Sequence, residues 1–228
     1  MTTPHKSGDI EDDKAIYKHA FWLYGVIIGL AIKDGIDSVV PHLINTGNDV
    51  VHVHPPHGLY LELLRLFTFL FLAMRFYLGS AYYFGLVHES DQASTNFPNR
   101  SFGSDFVLGF LHFLGFVFLA LTLHVHVGEP MRLFPLGVAF VLGYDAVWFA
   151  YSWVSDLDTR KKIKYWAIVN GLVVIVAVAL YLAVEKITGD PIMAEVWALW
   201  LVFAITLLDI GWMMRKKPFF EPIHDLLA

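Results

Sequence analysis

Apolar and polar positions along this chain come in blocks. Stretches such as AFWLYGVIIGLAI, LFTFLFLAMRFYLGSAYYFGL and FVLGFLHFLGFVFLALTL run well past the roughly four to eight residues of a strand. About 20 apolar residues at ~1.5 Å rise cover a bilayer's hydrocarbon core of about 30 Å. The blocks predict six membrane-spanning helices, at about 17–40, 59–87, 105–124, 133–154, 165–184 and 193–214. Between them lie segments rich in Gly, Pro and Asn, among them INTGNDVVHVHPPHG, HESDQASTNFPNRSFGS and GEPMR, which break helices and turn the chain. The predicted fold is an all-α integral membrane protein. One six-helix transmembrane domain over 17–214 stands between a cytoplasmic tail at 1–16 and a cytoplasmic C-terminal tail at 215–228.

Composition sharpens this picture. The chain is 57% hydrophobic and only 16% charged, against about 25% charged in an ordinary soluble domain. The net charge of -5 is small and the basic residues are not gathered into a nucleic-acid-binding face, so nucleic acid is set aside as a partner. There is no cysteine, which removes disulfides, thiolate metal sites and thiol nucleophiles. The acidic start SGDIEDDK is unlike a secretory signal, and the first span is expected to stay attached. No period of 20 to 50 residues marks a repeat, and no inverted half-repeat of the transporter kind stands out.

Lys and Arg set the orientation. The side shared with the N-terminus carries Lys6, Lys14, Lys18, Arg100, Arg160, Lys161, Lys162, Lys164, Arg215, Lys216 and Lys217; the other holds Arg132 and Lys186, with Lys33 and Arg65 at helix mouths. Cytoplasmic loops carry the positive excess, which predicts both termini inside, in a plasma or inner membrane.

Charges inside the spans are the candidates for function. Arg75 lies near the middle of the second span and Asp145 near the middle of the fourth, at matched depth. An intramembrane arginine needs a carboxylate or a water-filled cavity, so these two are expected to pair. Such a pair either fixes how two helices pack or lines a hydrated path and selects ions. His112 and Asp209 fall in the inner third, with Asp105 and Asp156 at the cytoplasmic edge. Together these groups have the chemistry of a proton relay or of an inner cation vestibule. The plainer alternative for His112, among Phe and Leu, is a neutral core histidine.

A second constellation faces outward. His52, His54 and His57 in the first loop and His126 after the third span emerge on the same side, with His42 and His124 near them. Neutral imidazoles of this kind suit zinc or copper, although the spacing matches no zinc motif and a solvated loop accounts for it as well. Protonation of the clustered imidazoles would also make the loop sensitive to pH. His112 and His126 are spaced to stack two haem ligands, but no other span supplies the matching pair, which argues against haem. Hydrolase and nucleotide-binding signatures are absent.

The function expected from these residues is passage of a proton, another small ion or a small solute, by a homo-oligomeric channel or a narrow path in one bundle. The alternatives are a metal-dependent enzyme or electron carrier using the outward histidines, and a membrane subunit of a larger complex. The bilayer is the partner common to all three.

Overall fold

The computed structural model describes residue 19 and residues 22–40, 56–84, 102–124, 133–152 and 159–215. Six α-helices and no strands occur among them. Helix α1 covers residues 22–40, α2 Pro56–Phe84, α3 Phe102–Leu121, α4 Leu133–Ser152, α5 Thr159–Thr188 and α6 Pro191–Arg215. After Leu121, α3 tightens into a 3-10 turn over Thr122–His124. The fold is all-α, as the blocks predict, and most helix ends fall within a few residues of expectation.

Helix α5 is the exception, starting at Thr159 and ending at Thr188 where the apolar run covers only 165–184. Arg160, Lys161, Lys162 and Lys164 at one end and Glu185 and Lys186 at the other are all good helix formers. Apolar length marks where the helix could be covered by lipid, and propensity carries it further. Between α5 and α6 the turn is built from three residues. Gly189 takes φ of 68° and its N–H donates to the Glu185 carbonyl at 2.8 Å, the left-handed helix end that glycine adopts without a Cβ penalty. Asp190 Oδ1 accepts from the N–H groups of Ile192 and Met193 at 2.8 and 3.2 Å, capping α6. Pro191 then opens that helix, where its missing N–H costs nothing.

Helices α4, α5 and α6 pack in sequence, α3 packs on α4, and α2 lies along α6. Tyr24 brings α1 onto α3, stacking on Phe113 with ring centroids 4.6 Å apart and donating to the Phe106 carbonyl at 2.7 Å. Phe69, Leu72, Phe116, Leu119, Leu142 and Leu199 are fully buried at the centre. Gly79 of α2 lies against the indole of Trp166 on α5, and a Cβ there would overlap the ring.

Two stretches, Lys164–Thr188 and Pro191–Gly211, are long and apolar enough to cross a membrane, while Asp105–Leu121 and Leu133–Trp148 are apolar but shorter. The outward faces are aliphatic and aromatic: Leu136 is 63% exposed, Val147 70%, Ile175 65% and Leu208 74%. Arg65, Arg75, Asp105, His112, Asp145, Asn170, Glu195 and Asp209 are all buried. An apolar groove of about 320 Å³ opens between α4, α5 and α6, lined by residues such as Leu142, Val174, Val178 and Val202.

Candidate buried polar centre

Five helices each place one polar side chain in the same part of the core. Arg75 of α2 donates from Nε to Asp209 Oδ2 of α6 at 2.5 Å, and the two side chains are 4% and 3% exposed. The Arg75 guanidinium also lies 5.1 Å from the centre of the Phe76 ring. Asp145 of α4 accepts a hydrogen bond from the side-chain amide of Asn170 on α5. Arg75 and Asp209 both approach Asp145 closely enough for their charges to act on it.

His112 of α3 completes the group. It is buried inside an aromatic cage, stacked on Tyr144 with ring centroids 5.5 Å apart, and edge-on to Phe76, Phe116 and Trp148. The Val141 carbonyl lies near the ring, but neither nitrogen has a partner in hydrogen-bond geometry. Among the described residues Asp209 Oδ1 and Asn170 Oδ1 also lack a donor.

The direct Arg75 to Asp145 contact expected from depth is therefore replaced by two contacts, Arg75 with Asp209 and Asp145 with Asn170. Depth in a span gives the height of a residue but not the side of the helix it faces. Helix α2 rests on α6, and that packing turns the guanidinium toward Asp209. Arg75, Asp145, Asp209 and His112 still share one neighbourhood. Asn170 joins them from the span that carries no ionisable group in its apolar part.

A second buried ion pair joins the same two helices. Arg65 donates from Nε and Nη2 to the two carboxylate oxygens of Glu195, at 2.6 and 2.8 Å, the fork-to-fork geometry of a strong charge-assisted contact. Its guanidinium also lies 5.9 Å from the centre of the Phe134 ring on α4. Sequence reading leaves Arg65 at a helix mouth and gives Glu195 no part. The usable signal is spacing: Arg65 and Arg75 are ten residues apart, Glu195 and Asp209 fourteen, about 15 and 21 Å of helix. Both pairs advance in the same chain direction, so α2 and α6 run parallel.

Polar contacts continue along α3. Tyr144 donates to the Leu108 carbonyl at 2.9 Å, and the Tyr83 hydroxyl lies 3.5 Å from Asp105 Oδ2. Asp105 is fully buried. The row of Asp105, Tyr24, Tyr144 and His112 leads from the start of α3 to the polar centre.

His52, His54 and His126 lie outside the described residues, as do His42 and Asp156, and of His57 only the backbone, in the first turn of α2, is described. Among the described residues no group of three or more His, Asp or Glu could hold a metal. The regular α-helix that would stack His112 and His126 ends at Leu121. Compared with protein families, curated proteins and solved structures, the chain finds no match.

Proposed function

We propose that this chain is a six-span membrane protein, with both termini on the cytoplasmic side, that passes a proton or another small ion through its buried polar centre. The placement in lipid is supported by the inverted distribution of side chains. Soluble proteins rarely expose apolar patches of more than a few hundred Å² and almost never bury this many charges. Here Leu, Ile, Val and Phe cover the outward faces of the helices, while Arg65, Arg75, Asp105, Asp145, Glu195 and Asp209 are buried. Parallel α2 and α6, joined by Arg65–Glu195 and Arg75–Asp209, also fit a thread in which even-numbered spans run the same way.

The observation that carries the functional reading is the convergence of Arg75, His112, Asp145, Asn170 and Asp209 from five helices. Buried ionisable groups are costly in lipid and as a rule mark pathways for ions or protons. The centre is closed on all sides, with no residue in it more than a few per cent exposed, so it suits a species small enough to hop between groups. The membrane of the cell is the site of action, and a homo-oligomer or larger complex would extend the pathway without changing its centre.

The test is ion flux in liposomes containing this protein alone. Wild type should carry a current, and Asp145→Asn should lower it at least tenfold while Lys33→Gln leaves it unchanged. Absence of flux for protons, cations and anions in wild type would overturn the proposal.

A further inference from the structure

The charges of the polar centre do not balance. One guanidinium, Arg75, serves two carboxylates, Asp209 and Asp145. Asp209 has the direct ion pair at 2.5 Å, and among the described residues Asp145 has only the neutral amide of Asn170 as a hydrogen-bond donor. The other groups facing Asp145 add no positive charge: His112 on α3 sits in its aromatic cage, and Asn170 on α5 is uncharged. A buried carboxylate without a counter-charge is among the costliest groups in a protein, and the usual relief is to become neutral.

We infer that Asp145 holds one exchangeable proton at neutral pH, and that a proton is therefore the species the centre handles. The inference rests on the membrane placement proposed above, because it requires that no bulk water reach the carboxyl. A metal cation is the competing way to neutralise the site. Calcium and magnesium ask for roughly six or more oxygen ligands, whereas Asp145 has near it the Asn170 amide, the Arg75 guanidinium and a single further carboxyl, Asp209. The described residues contain no cluster able to hold a metal.

Asn170 fits this role in both states of the carboxyl. Its amide can donate to an ionised Asp145 through Nδ2, and turned about its last bond it can accept the proton of a neutral Asp145 through Oδ1. The two orientations have the same shape. Among the described residues Asn170 Oδ1 has no donor of its own, so the turn exchanges the Nδ2 contact with Asp145 for one through Oδ1 and costs Oδ1 no other bond. Proton transfer leaves every covalent bond but one O–H intact: the proton arrives on Asp145 and leaves to a base or water, with no electron moved.

Infrared absorption of the full-length protein in lipid reads this directly, since a protonated carboxyl has a C=O band that an ionised one lacks and that shifts in deuterated buffer. The wild-type minus Asp145→Asn difference at neutral pH should contain one such band, and the contribution of Asp105 cancels in it. Asp209→Asn should lose the same band, because Asp145 then ionises and takes Arg75 for itself. Arg75→Gln should raise the carboxyl signal about twofold, with both acids neutral. No band in the wild-type difference, or a band that survives in Asp209→Asn, would overturn the inference. The outcome is separable from the flux test: a band without flux removes the transport proposal and leaves the proton on Asp145, and flux without a band does the reverse.

Discussion

Two ion pairs join α2 to α6, and they differ in their arithmetic. At Arg65 and Glu195 one cation meets one anion in a bidentate contact, and the charges close. At Arg75 one cation stands near two carboxyl groups, with Asp209 in contact and Asp145 held by an amide. Both sets are buried, so burial alone does not separate a clamp from a site that exchanges charge. The difference is whether the buried groups sum to zero without help. A balanced pair needs no further partner, whereas the unbalanced centre is the one to which we assign a proton.

The comparison is sharpest under single substitution. Arg65→Ala leaves Glu195 buried without its counter-charge and should cost about 3–5 kcal/mol, while the double change Arg65→Met with Glu195→Leu should restore stability to near wild type. Thermal unfolding in lipid, read as a double-mutant cycle, gives both numbers. A double variant as damaged as the single one would show that the pair is not a closed unit. Next in size is Gly79→Val, where the new side chain would displace the Trp166 ring and loosen α2 from α5. Overpacking of this kind costs roughly 1–3 kcal/mol, and Trp166→Ala should recover part of it.

Asp209→Asn should cost less than Arg65→Ala, about 1 kcal/mol. The lost charge-assisted bond alone would be worth more, but Asp145 stands ready to replace it. Equal losses for the two variants would erase the distinction between the two regions. At the small end, Lys33→Gln removes the exposed i, i+4 contact with Asp37, whose side chains are 72% and 58% exposed. No measurable change in unfolding is expected, as for most surface pairs.

The blocks of apolar residues were enough to read an all-α chain and the limits of its helices, because lipid-length runs and Gly or Pro breakers are local features. The polar centre was legible as a list of depths. Arg75 and Asp145 could be placed halfway along their helices, yet the facing of each depends on which neighbour packs where, and that is a property of the whole bundle. Glu195 was hidden because it follows a turn so closely that it resembles an interfacial residue. Asn170 was hidden because an amide draws no attention in a search for ionisable groups. The ten-residue and fourteen-residue spacings in α2 and α6 are visible in the sequence, and a parallel pair of helices is needed to give them meaning.

Both guanidiniums of α2 are answered by acids about 130 positions later, with separations of 130 and 134 residues. During synthesis α2 must therefore wait for α6 before either arginine meets its acid. A chain that ends between them carries two arginines in its second helix without the acids that answer them in the finished bundle.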